Sequence, residues 1–229
     1  MSRFTLLRSR SAIVVASVML GATSIASAQQ GSGPLSQLSA PVRISIRAAA
    51  DSLDAEHLPG EALIAKAAEG LLKGADEPRI LIAVHRLAGE LRAAGAALGG
   101  DAGESEIIAA ATALHAGASS EILRQLRALA PARRGGSGLT VPLVVLTDLV
   151  SRGTPVRVAG ESVKTLLSRH ASDADLQGLR AGVERDIGAG EDPTTAALAR
   201  SRALADSLGG RVGSRRDPGP STRPPTRLP

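Results

Sequence analysis

One punctuation recurs along this chain and narrows what it can fold into. An amphipathic run ends at a glycine or histidine, a short polar cap follows, often with a proline, and another amphipathic run begins. The pattern appears as Gly74 with Asp76 and Pro78, Gly153 with Thr154 and Pro155, and Gly190 with Asp192 and Pro193. Looser copies stand at Gly117 with Ser119, His170 with Ser172, and His57 with Pro59. Each reads as a helix closed by a left-handed residue and followed at once by a fresh N-cap. Helices joined by such short links must fold back on one another. The expected fold is therefore all-α, an antiparallel helical bundle or a short helical array of about nine helices.

The apolar stripes place those helices. The first runs from Pro41 to Glu56 on Val42, Ile46, Ala49 and Leu53, although its opening VRISIR also fits a strand. Gly60 to Lys73 follows with Leu63, Ala67, Leu71 and Leu72, then the longest, Glu77 to Leu98, on Ile80, Val84, Leu87 and Leu91. Glu104 to Ala116 and Ser120 to Ala130 lead to a glycine-rich loop, a possible hinge at 131–139. Beyond it Thr140 to Gly153, TVPLVVLTDLVSRG, reads as one buried helix capped by Thr140, with water reaching little more than Thr147, Asp148 and Ser151. Pro155 to Arg169, Asp173 to Gly188 and Pro193 to Leu208 complete the set, and Gly209 and Gly210 are read as its end.

Both ends of the chain differ from this body. Residues 1–28 have the form of a secretory signal peptide: Arg3, Arg8 and Arg10, an apolar run from Ala12 to Ala22, and the small-residue site Ala26-Ser27-Ala28. That run is too short to cross a bilayer, which takes about 20 apolar residues. Cleavage near Ala28 implies a periplasmic or extracellular protein with no transmembrane anchor in its mature form. Residues 29–40 are expected to be a linker and 41–209 a single helical domain. Residues 210–229 form a Pro/Arg-rich tail too poor in apolar residues to fold, hence expected to be disordered.

Phe4, Met1 and Met19 all lie in the leader, so the mature chain has no aromatic residue and no methionine. The sequence also has no cysteine. Without disulfides the core must be built from Leu, Val, Ile and Ala alone. The absence of aromatics removes any platform for stacking bases. The net charge of +5 invites a nucleic-acid reading, but the excess lies in the leader and in Arg211, Arg215, Arg216, Arg223 and Arg227 of the tail. The body between them is near neutral, so no nucleic-acid partner is expected.

Chemistry-bearing motifs are few. His57, His115 and His170 sit at helix stops, where left-handed geometry and the helix dipole account for them. Asp173, Asp175, Gln177, Gly178 and Glu184 fall at positions 1, 3, 5, 6 and 12 of a segment that resembles an EF-hand calcium loop. That resemblance implies a calcium site. Against it stands an unbroken helical stripe, Leu176, Leu179, Val183 and Ile187, opened by a Ser172 to Asp175 capping box, and helix is the preferred reading. No catalytic, cofactor or metal set is assigned. The expected function is a non-catalytic protein-interaction or structural module of the cell envelope, with an unknown protein partner and weak contact between the tail and anionic surfaces. The alternative is a small hydrolase or a metal-dependent protein, calcium being the candidate metal, with a site assembled across helices. A pocket gathering two or more of His85, Glu90, Asp148 and Glu161 would favour it.

Overall fold

The structure, a computed structural model, describes residues 35–129 and 138–214, with side chains through Gly210. Among these residues the chain forms nine α-helices and no strand: α1 (Ala40–Ala55), α2 (Glu61–Leu72), α3 (Glu77–Leu98), α4 (Glu104–His115), α5 (Ser120–Leu129), α6 (Thr140–Ser151), α7 (Val156–Ser168), α8 (Asp173–Gly188) and α9 (Pro193–Ser214). The VRISIR segment is helical within α1, which turns Ile46, Ala50 and Leu53 into the core.

Six helix ends close as the punctuation predicts. His57, Gly74, Gly117, Gly153, His170 and Gly190 all have left-handed φ, between 57° and 102°. At α6 the Gly153 N–H donates to the Val150 carbonyl at 2.9 Å and the Thr154 N–H to Leu149 at 3.0 Å. At α7 the His170 and Ala171 N–H groups do the same to Leu167 and Leu166, both at 3.0 Å. This pair of reversed bonds satisfies carbonyls that the helix leaves open and turns the chain sharply. After Gly74, His170 and Gly190 the next helix starts on a side-chain acceptor, whereas α2 and α7, after His57 and Gly153, start at Gly60 and Pro155 without one. Asp76 accepts from the Arg79 N–H at 3.0 Å, Asp192 from Thr195 at 3.0 Å, and Ser172 forms a capping box with Asp175.

Folding back at every stop produces two rows. In one, α1 packs on α3, α3 on α5, α5 on α7 and α7 on α9; in the other, α4 packs on α6 and α6 on α8. The rows are held together by α1 with α2, α2 with α3, α3 with α4, α6 with α7, and α8 with α9. Leu53, Leu63, Leu91, Leu123, Leu126, Leu143, Leu146, Leu149 and Leu166 are fully buried between them, each contributing about 1.5–3 kcal/mol relative to exposure. Alanines Ala94, Ala97, Ala110, Ala111 and Ala113 are buried on α3 and α4, and their small side chains let the two helices lie close.

Several expectations are corrected. Thr140 does not cap α6. Leu139 occupies the cap position, and its N–H donates to the Glu106 carboxylate of α4 at 2.6 Å. Val144 is 45% exposed, because with Thr147, Asp148 and Ser151 it faces an open cleft between α4 and α6 instead of the core. Leu72 is exposed, since one residue past Leu71 the helix has turned its side chain about 100° from the buried face. Leu35 and Leu38, within the expected linker, are buried in the core, and Ser39 Oγ donates to Glu77 at 2.8 Å. Gly209 and Gly210 do not end the fold, for α9 continues to Ser214. Glycine weakens a helix by about 1 kcal/mol without forbidding it, and the next proline is Pro218. The leader, most of the hinge segment and tail residues 215–229 lie outside the described residues.

Candidate functional site

The second row has one gap. Helices α4, α6 and α8 pack directly on their row neighbours, whereas α2 and α4 both pack on α3 without packing substantially on each other. Between them lies an open groove of about 700 Å³. Its floor is the α3 stripe of Arg79, Ile82, Ala83, Arg86, Leu87 and Glu90; Ala62, Ala65, Lys66 and Glu69 of α2 form one wall, and Ile108, Ala111, Thr112 and His115 of α4 the other. The lining is mainly aliphatic, and Ile82 remains 69% exposed within it. Isolated exposed aliphatics are ordinary, but several sharing a concave surface mark a place for something else to bind.

Charged groups rim the groove, and its carboxylates are already engaged. Glu69 accepts from Lys66 at 2.9 Å and from Lys73, and these two ammonium hydrogen bonds, Lys73 first, hold its carboxyl down to about 2. Glu90 is bonded by Arg86 Nε at 3.0 Å and by His115 Nδ1 at 3.0 Å. The cations are less committed. Arg79 has a side chain 80% exposed and lies 3.7 Å from Asp76, an acid already capping α3. Arg86 is 60% exposed and touches Glu90 through one edge of its guanidinium.

A second cleft, of about 460 Å³, lies between α4 and α6 and shares Ile108 and Thr112 with the groove. Val144 and Asp148 line it. Asp148 accepts from Arg152 and Arg180, each at 2.9 Å, and Arg152 also reaches Glu184 at 3.2 Å. This chain of ion pairs ties α6 to α8.

The four residues singled out for a possible catalytic pocket do not converge. Glu90 lines the groove and Asp148 the second cleft; His85 is exposed on α3, and Glu161 is exposed on α7, paired with Lys164 at 2.5 Å. His115, which the sequence places at a helix stop, meets Glu90 across the α3–α4 contact. Only the fold brings them together, because 25 residues separate them. The pairing leaves His115 Nε2 for another partner, the arrangement of a general base, but the neighbouring groove hydroxyl, Thr112, donates to the Ile108 carbonyl at 2.9 Å.

Asp173, Asp175, Gln177 and Glu184 lie along the continuous helix α8. Asp173 and Glu184 are then about 16 Å apart along the axis, too far to share one ion, and Glu184 faces Arg152 instead. Among the described residues no group of three or more His, Cys, Asp or Glu is placed to hold a metal ion, and no helix is long and apolar enough to cross a membrane. Compared with protein-family models, curated proteins and solved structures, the chain matches none.

Proposed function

We propose that this is a secreted or periplasmic, non-catalytic interaction module of the cell envelope, a short helical array that binds another protein along the α2–α3–α4 groove. The observation that carries this reading is the α3 stripe left open where the second row is interrupted, with the aliphatic Ile82 exposed on the groove floor. The Pro/Arg-rich tail would add weak attraction to anionic envelope surfaces. At about 1 kcal/mol per basic residue, it biases location without anchoring the protein.

The test is photo-crosslinking in an envelope extract from a crosslinker placed at Ile82, with Leu198 on α9 as an equally apolar, exposed control outside the groove. One identified protein captured from Ile82 and not from Leu198 is the expected outcome. Equal capture from both positions, or none from Ile82, would remove the groove as the binding surface.

The other reading, a small hydrolase, draws on the His115–Glu90 pair. It requires ester or amide hydrolysis that His115→Gln and Glu90→Gln each abolish; without such hydrolysis the pair is a tie between α3 and α4.

A further inference from the structure

We propose that the occupant of the groove is an amphipathic helix of about three turns whose flank carries carboxylates, contributed by a partner protein and laid along α3. The inference rests on the groove being a docking surface and adds the chemistry of what docks.

Length comes first. The open stripe on α3 runs from Arg79 to Glu90, which is about 16 Å of helix axis or three turns. Shape follows from the neighbours. Elsewhere in the row one helix lies directly against the next, and here the place between α2 and α4 is left open over α3. Small and large residues stand together on the floor, Ala83 beside Ile82, and on the α4 wall, Ala111 near Ile108, and offer holes and ridges of the kind an aliphatic helix face fills. A small apolar ligand is usually enclosed over most of its surface, and exposure of 69% at Ile82 is poorly suited to that.

Charge then selects among helices. Glu69 already accepts from two ammonium groups, and Glu90 is held by the Arg86 guanidinium and by His115 Nδ1, so a basic helix would find no uncommitted acid in the groove. Arg79 and Arg86 retain exposed guanidinium edges. They are seven residues apart on one face, about 10 Å, so two carboxylates at the same spacing on an incoming helix would reach both. Guanidinium–carboxylate pairs set orientation and partner choice more than raw affinity.

The probes are two synthetic capped peptides of about 14 residues, identical in their leucine face and differing only in having glutamate or lysine at two flank positions seven residues apart. Binding is read by fluorescence anisotropy at low and high salt, with the full chain as titrant. The acidic peptide should bind about tenfold or more tightly than the basic one, and salt should narrow the gap. Arg79→Glu combined with Arg86→Glu should reverse the preference, and Ile82→Asp should weaken both peptides. All three side chains are largely exposed, and thermal melts verify folding of each variant. If the basic peptide binds as well as the acidic one and Ile82→Asp still weakens it, the groove docks helices but the acidic assignment is overturned. If neither peptide binds, or binding ignores Ile82→Asp, the docking reading itself fails. Saturable binding of dodecanoate with no peptide binding would make the groove an amphiphile site, and concentration-dependent self-association abolished by Ile82→Asp would make the occupant a second copy of this chain. Either result overturns the proposal.

Discussion

At the scale of single residues, the most consequential side chain is Glu106. It is 8% exposed, its carboxylate accepts from the Gly103 N–H at 3.1 Å and the Leu139 N–H at 2.6 Å, and Arg127 lies 3.6 Å away. One group thus closes the first turn of α4, caps α6 from another helix and meets α5. A Cβ on Gly138, whose φ is +59°, would stand 2.2 Å from the same carboxylate. Removing the acid strands the Leu139 N–H and a half-buried arginine, so Glu106→Ala is expected to cost about 2–4 kcal/mol in denaturant titrations. A loss under about 0.5 kcal/mol would mean that the carboxylate is dispensable to both helix starts. Gly153, with φ +96°, is strained for any β-branched side chain although Pro193 stands no nearer than 3.5 Å to an added Cβ. Gly153→Val should therefore cost about 1–2 kcal/mol, while His170→Gly should be near neutral or mildly stabilising. A harmless Gly153→Val would separate the stop from its left-handed geometry.

At the scale of elements, the helix surfaces carry a set of carboxylates held below their ordinary range: Glu69 by Lys73 and Lys66, Glu56 by Arg92, Asp186 by Arg200, and Asp192 by the Thr195 N–H it caps. A carboxyl whose folded value is depressed adds stability that is present above its ordinary titration range and lost as the pH falls through the folded value. The melting temperature should accordingly be insensitive to these groups near neutrality and decline as the pH drops from about 4.5 toward 2. Glu69→Gln should flatten part of that decline. Solvent screens this exposed cluster, so its share is at most about 1 kcal/mol, and an unchanged acid slope in the variant would show that the lysine contacts do not persist in solution. For α8, helical from Asp173 to Gly188, millimolar Ca²⁺ should leave the melting temperature unchanged. A rise of several degrees that Glu184→Gln abolishes would mean the segment opens into a loop, since ligand at 100 times its Kd stabilises by about 2.7 kcal/mol.

At the scale of the whole molecule, the described residues form two rows of short helices with an Ala- and Leu-rich interior and leave the place over α3 between α2 and α4 uncovered, and that groove defines the face through which the protein is proposed to act. Residues 215–229 add basic charge that the body lacks. Truncation after Ser214 should leave the melting temperature unchanged while reducing sedimentation with anionic vesicles at low salt. A drop of many degrees would make the tail part of the fold, and undiminished vesicle binding would move the contact to the helical body.

The sequence by itself determined the helices and their stops, because both are local matters. A stripe of period 3.6, a cap acceptor at the right offset and a left-handed Gly or His act within one or two turns; hence Glu77–Leu98 and Asp173–Gly188 are legible to the residue. Where local signals were weak, tertiary contacts decided. The start of α6 depends on Glu106, 33 positions away. The exposure of Val144 depends on which face of α6 its neighbours leave bare. Leu35 and Leu38 join the core because it extends beyond α1. The groove was not legible at all, since an open stripe on α3 has the same residues as a covered one. Its existence follows from α2 and α4 both resting on α3 without closing over it, an arrangement set by long-range packing that no window of the chain records.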